Sequence, residues 1–115
     1  HLSEMLTKNN LGAELWINDI PVIAGLDKYI SLGMIPGGTL KNKEIYSCSV
    51  EKKQGISSEQ EIVLYDAQTS GGLLLSISPE QAEKAKKLLF QQGFNSSQII
   101  GKIIKVSPGR KIKII

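Results

Sequence analysis

Tyr65-Asp66-Ala67-Gln68-Thr69-Ser70-Gly71-Gly72-Leu73-Leu74-Leu75 is the one stretch in which a polar, glycine-paired turn runs straight into an unbroken apolar segment. Gly71 and Gly72 lack a Cβ, so the turn can take positive φ and let another backbone or a ligand come close. Thr69, Ser70 and the neighbouring amides place hydrogen-bonding groups at that opening. Leu73 to Ile77 does not alternate, which predicts a strand buried on both faces. A polar turn on such a mount suits the oxygens of a phosphate or a ribose. The same residues also suit a plain bulge or tight turn leading into a core strand, and both readings stay open on this stretch alone.

Upstream, Glu61 to Tyr65 reads as an extended lead into the turn, and the polar run from Ser47 to Gln60 as an exposed connection. Before it lies a second glycine pair, Pro36-Gly37-Gly38-Thr39-Leu40-Lys41-Asn42, with Thr39 placed to cap a short helix whose first amides are left for an anion. Pro-Gly-Gly is also an ordinary turn. Ile23, Leu26 and Ile30 share a helical face, and Gly33 is placed to stop that helix. Trp16, Met34 and Ile35 read as core. Ala13 to Ile17 is a strand candidate, and Leu2, Met5 and Leu6 give one face of a short first helix.

Downstream, Ser78-Pro79-Glu80-Gln81 predicts a helix start with Ser78 as N-cap, Pro79 at the first position and Gln81 closing a capping box. Ala82, Ala85, Leu88 and Leu89 line its buried face; Gly93 ends it, with Phe94 packing back on Leu89. Ile99 to Val106 and Lys111 to Ile115 then read as two strands joined by the Ser107-Pro108-Gly109 turn into a hairpin. The order predicts an α+β fold, a mixed sheet of about four strands packed with helices, over a single domain spanning residues 1–115.

The composition fits that reading: 115 residues, 41% hydrophobic and 22% charged, suffice for one modest core. No apolar run approaches the ~20 residues of a membrane span, and no secretory leader is visible, so a cytoplasmic location and no membrane partner are expected. Cys48 has no second cysteine to pair with and reads as a small, partly buried residue. The net charge of +3 is concentrated in Lys102, Lys105, Arg110, Lys111 and Lys113. Only six aromatics accompany them, without basic-aromatic interleaving, so a solvated face or lysine-protected edge is expected rather than nucleic-acid binding. His1 reads as helix surface, and Tyr65 as core. The chain opens at His1 rather than methionine, in residues that already read as helix, so it is expected to be cut from a longer protein.

Asp66-Ala67-Gln68-Thr69-Ser70-Gly71-Gly72-Leu73-Leu74 resembles the Asp-Pro-Gln-Thr-Ser-Gly-Gly-Leu-Leu signature of the selenophosphate synthetases, also called selenide, water dikinases. Pro36-Gly37-Gly38-Thr39 with Asn42 resembles that family's Pro-Gly-Gly-Thr-x-x-Asn segment, and His1 to Leu6 the helix after its Gly-Phe-Gly-Leu-Leu-Gly motif. The resemblance covers essentially the whole chain as the family's C-terminal domain, a fold shared with aminoimidazole ribonucleotide synthetase. The departure is Ala67 in place of proline, which loosens φ at that point.

The resemblance implies an enzyme that makes selenophosphate, AMP and phosphate from ATP, selenide and water, with magnesium, as a homodimer. It places the reactive Cys or selenocysteine, the nucleotide-binding lysine and most of the metal-binding aspartates in an N-terminal domain outside this sequence, and a further metal-binding aspartate just upstream of His1. Cys48 and Asp66 match none of them. No catalytic or metal-binding residue is therefore expected in this chain, no cofactor is held by it alone, and the isolated chain is expected to be inactive. Its own N-terminal ATP-binding domain is the expected partner. Thr69, Ser70, Gly71, Gly72, Gly37, Gly38, Thr39 and Asn42 are expected to face that domain and shape the ATP, phosphate and selenide pocket. Two alternatives stand beside this one: a non-catalytic binding or assembly module, and a domain of a related ATP-dependent purine-pathway synthetase, against which the Gln-Thr-Ser string argues.

Overall fold

A computed structural model of the chain describes residues 1–6, 10–106 and 111–115. Its sheet is organised by the strand Leu11–Leu15 (β1). Gly101–Lys105 (β3) pairs with β1 antiparallel and Ile112–Ile114 (β4) pairs with it parallel; Val50–Lys52 (β2) lies parallel to β4. The spatial order is β2-β4-β1-β3, the four-stranded mixed sheet that the sequence predicts.

Alternation assigns the faces. Ile112 and Ile114 are buried and Lys113 is exposed. Leu6, Ala13 and Ile112 form the core cluster on the inner face, with Leu2, Leu11, Leu15 and Val50 packed around it. On the outer face one register level reads Glu51, Lys113, Glu14, Lys102 across all four strands, so each charge has an opposite neighbour, and Lys102 Nζ lies 2.9 Å from Glu14 Oε2. Opposite-charge pairs across strands contribute about 0.2–1 kcal/mol each, toward the low end where exposed. Lys102 and Lys113, which lack acidic neighbours in sequence, thus find them across the sheet, and Lys102 and Lys105 lie on the edge strand β3 as expected. Arg110 lies outside the described residues.

Five α-helices complete the described chain: Leu2–Met5 (α1), Leu26–Ser31 (α2), Gly37–Tyr46 (α3), Ser58–Ile62 (α4) and Pro79–Gln91 (α5). Gly33 follows α2 at φ +73 and Gly93 follows α5 at φ +89, left-handed positions that glycine takes without steric cost. At the α5 end the Phe94 N–H reaches the Leu89 carbonyl and the Gly93 N–H the Phe90 carbonyl, both at 3.0 Å, a Schellman closure. The Phe94 ring itself is exposed. Ser78 and Pro79 start α5 as predicted, but Ser78 makes no side-chain cap bond. The capping box forms instead at α4, where Ser57 Oγ accepts from the Gln60 N–H and Gln60 Oε1 from the Ser57 N–H. No helix among the described residues is long and apolar enough to cross a membrane.

The structure corrects several expectations. β3 and β4 are not a hairpin, because β1 lies between them: the Ala13 N–H bonds to Lys111 O at 2.8 Å and the Val106 N–H to Asn10 O at 3.0 Å. Gly12 permits this wedge, since a Cβ there would strike Lys111 O and the Val106 side chain. The hairpin turn 107–109 lies outside the described residues. β1 begins two residues before the predicted strand and takes in Gly12. The connection from Ser47 to Gln60 contains β2, a three-residue strand too short to announce itself by periodicity. Glu61 to Tyr65 is helical, continuing α4 into a 3-10 turn at Val63–Tyr65, which buries Ile62 and Tyr65 three positions apart. Met34 and Cys48 are exposed.

The largest correction concerns Leu73 to Ile77. These residues form no strand, and Leu73 is 91% exposed, with Leu74, Leu75 and Ile77 exposed as well. The described sheet is built from four other strands, so an apolar run that looks like a core strand stays outside it. α5, which follows, buries none of its side chains fully. Core and periphery should therefore respond differently to substitution. Ile114→Ala should cost about 2–5 kcal/mol in urea unfolding, whereas Leu73→Ser should stay within about 0.5 kcal/mol; equal losses would contradict this division.

Candidate functional site at the junction of two glycine segments

Pro36 has φ −59 and ψ 141 and is the N-cap of α3, its carbonyl accepting from the Thr39 N–H at 3.0 Å. α3 therefore starts at Gly37, two residues before the predicted cap. Both glycines occupy the first turn, where helix amides have no intrahelical acceptor. Thr39 sits inside the helix, 2% exposed, and its hydroxyl does not cap.

That hydroxyl instead reaches the second glycine segment. Thr39 Oγ1 donates to Asp66 Oδ1 at 3.0 Å and accepts from the Ala67 N–H at 3.2 Å. Asn42, three residues on and so on the same helix face, donates from Nδ2 to the Tyr65 carbonyl at 3.0 Å. Two side chains of α3 thus hold three consecutive residues, Tyr65 to Ala67. Gly38 lets the segments close, because a Cβ there would stand 2.8 Å from the Ala67 Cβ. The Ala67 N–H bond is one that the proline of the resembled signature lacks.

The junction rests on a charged base. Tyr65, buried, donates its hydroxyl to Glu61 Oε1 at 3.3 Å; the other oxygen, Oε2, accepts from Lys43 Nζ at 3.3 Å and Lys52 Nζ at 3.0 Å. These contacts join α3, β2 and α4. Burial pushes the Glu61 carboxyl up, but the hydrogen bonds from Lys52 and Lys43 and their charges outweigh it and hold the group below the ordinary value. Burial first, then the charge and hydrogen bond of Glu61, push the Tyr65 phenol up to about 12.

The predicted site residues divide into two groups. Gly38 and Thr39 are brought against Asp66 and Ala67, and Asn42 against the Tyr65 carbonyl. Thr69, Ser70, Gly71 and Gly72 run on from the junction, all exposed, as is Gly37. Gly71 and Gly72 do not take the positive φ expected of them. A Cβ at Gly71 would meet only the flexible end of Gln68, and at Gly37 and Gly72 it would meet nothing within 4 Å. The residues missed from the sequence are Asp66, Ala67 and Glu61; the three-residue spacing of Thr39 and Asn42 was the signal that one helix face grips something. Beside the junction a small apolar cleft opens between α2, α3 and the Val63–Tyr65 turn, with Thr39 and Asp66 among its lining residues. Among the described residues no group of three or more His, Cys, Asp and Glu side chains is gathered, and Asp66 is engaged by Thr39. These residues do not make a donor set for magnesium.

Two predictions follow from this geometry. Gly38→Ala should weaken the fold by about 1–3 kcal/mol through overpacking against Ala67, while Thr39→Val should cost about 1 kcal/mol for its two lost hydrogen bonds; urea titration of each variant checks both. In pH titrations, Tyr65 is raised in the fold, so its contribution is complete below about pH 10 and lost as pH climbs toward 12. Glu61 is lowered, so its contribution is present above the ordinary value of 4.5 and lost as pH falls below it. Tyr65→Phe should flatten the alkaline limb and Glu61→Gln the acid one.

A family profile described as AIR synthase related protein, C-terminal domain, matches residues 1–112. The chain is 38% identical over 112 residues to the selenide, water dikinase of Haemophilus ducreyi, covering 97% of this chain and 31% of that protein. It is 36% identical over 110 residues to that of Salmonella typhimurium, covering 96% and 30%, and 35% identical over 104 residues to that of Clostridioides difficile, covering 90% and 30%. The chain spans about three-tenths of the length of the curated relatives it matches. Since the profile runs from α1 through both glycine segments to the start of β4, the chain belongs to the AIR synthase related protein C-terminal domain family.

Proposed function

We propose that this chain works as the C-terminal domain of a selenide, water dikinase, which makes selenophosphate, AMP and phosphate from ATP, selenide and water. Its glycine junction would close the active-site cleft against the protein's own N-terminal domain. The names of the relatives support the reaction. The observation that carries the role of the junction is the environment of Gly37 and Gly72. Both are exposed, neither has positive φ, and a Cβ at either would meet empty space. Glycine in a helix costs about 0.5–1 kcal/mol relative to alanine, and nothing among the described residues requires it at Gly37. Close approach by something outside the chain accounts for both positions.

In this reading the parts act as follows. The first-turn amides of α3 at Gly37 and Gly38 favour anionic oxygens. Thr69 and Ser70 offer hydroxyls, and Gly71 and Gly72 leave room for the substrate or the facing domain. Thr39 and Asn42 hold the two segments together rather than touching substrate. Phosphoryl transfer depends on positioning and on neutralising charge; ATP and magnesium are assigned to the N-terminal domain, as the resemblance to the selenide, water dikinases implies. The exposed Leu73, Leu75 and Ile77 suit a surface covered in the whole protein. The whole protein is a cytoplasmic homodimer, and this chain alone is inactive.

Phosphorus NMR of the full-length protein with ATP and magnesium, with and without selenide, tests this. Selenophosphate should appear only with selenide, and the isolated chain should give none. ATP consumption without a selenium product would assign the protein to a related synthetase, and no consumption to a binding module. Gly72→Val in the full-length protein should lower turnover by about 100-fold, the scale of small misplacements in a site; unchanged turnover would remove Gly72 from the cleft.

A further inference from the structure

The cluster beneath the junction lies outside any role assigned above. Glu61 is 8% exposed, yet three donors from three elements converge on it: Lys43 of α3, Lys52 of β2 and the Tyr65 hydroxyl. A buried carboxylate with two lysines is not there for stability alone, since such pairs roughly break even against apolar packing. What it supplies is a fixed geometry, because Glu61 is the shared partner of both lysines and of the Tyr65 hydroxyl.

The fixed point is Tyr65. Its ring end is held by Glu61, and its backbone carbonyl is held by Asn42 from α3, the helix that also sends Lys43 to Glu61. One residue later the chain turns, with the Asp66 N–H on the Val63 carbonyl at 3.2 Å, and Asp66 and Ala67 meet Thr39. From there the Gln68 to Gly72 segment leaves. α3 is therefore tied to Tyr65, Asp66 and Ala67 through Thr39 and Asn42, and to Glu61 through Lys43. Glu61 thereby braces Tyr65, where the outgoing segment begins, against the same helix.

We propose that Glu61 is a positioning residue: through Tyr65 and the Lys43 and Lys52 pairs it fixes the angle at which the Asp66–Gly72 segment stands beside Gly37 and Gly38. Its effect on catalysis rests on the function proposed above, whereas its effect on the junction does not.

Amide hydrogen exchange of the full-length protein separates the two. In Glu61→Ala the exchange of the Ala67 N–H, held by Thr39, should rise by about tenfold or more relative to amides paired between β1 and β4, consistent with local rather than global opening. Glu61→Gln, which keeps an acceptor for the Tyr65 hydroxyl, should recover part of that protection. If Glu61→Ala does not fold, Tyr65→Phe gives the same reading with the ion pairs intact. Unchanged exchange at Ala67, or a uniform rise across the sheet and junction, would overturn the proposal. In the kinetic arm, Glu61→Ala should lower turnover on ATP and selenide by roughly tenfold or more, and the conservative Glu61→Gln should restore part of it. Altered exchange at Ala67 in a protein without selenide-dependent turnover would leave Glu61 as a positioning residue and reject the function instead.

Discussion

The arrangement depends on one side chain, the buried hydroxyl of Thr39, which donates to Asp66 and accepts from the Ala67 N–H. Thr39 and Asp66 are 27 positions apart, and the intervening chain includes a strand, a helix and two 3-10 turns. A single hydroxyl contributes only about 1 kcal/mol, so its importance is geometric. It fixes where two glycine-rich segments, each exposed at its far end, come together. Asn42 repeats the contact one turn along, and the missing Cβ of Gly38 leaves the room it needs. Helix start, packing and exposed surface are therefore set by the same few residues.

Much of this was legible in the residues. The glycine pairs marked both arms of the junction, the α+β class followed from the order of elements, and Gly33 and Gly93 ended helices where their sequence context predicted. What escaped reading was long-range. Thr39 has the chemistry of a helix cap, and only the fold shows its hydroxyl turned to a partner elsewhere. Glu61 looks like the first residue of an extended lead until Lys43, Lys52 and Tyr65 surround it. The separation of β3 and β4 depends on β1 entering between Val106 and Lys111, and no local pattern at the end of the chain encodes that insertion.

Leu73 to Ile77 failed for a different reason. Its run of leucines carries the signature of burial, but burial needs a neighbour, and the described sheet is built from four other strands. Apolar side chains at Leu73 and Leu75 lie just past Gly71 and Gly72, so the polar opening and the exposed apolar run are parts of one surface. That continuity is what a domain face covered by another domain would present. It sets the outer sheet face apart, where Glu51, Lys113, Glu14 and Lys102 neutralise one another across the strands and leave a face suited to water.

The central claim of the proposed function is that the two glycine segments act as one unit, closing the cleft against the N-terminal domain around ATP and selenide. Amide hydrogen exchange of the full-length protein at Gly37, Gly38, Gly71 and Gly72, measured with and without ATP, magnesium and selenide, tests it most directly. The account predicts that all four amides become protected together when the substrates bind. Protection at one segment without the other, or at neither while the protein turns over, would contradict it.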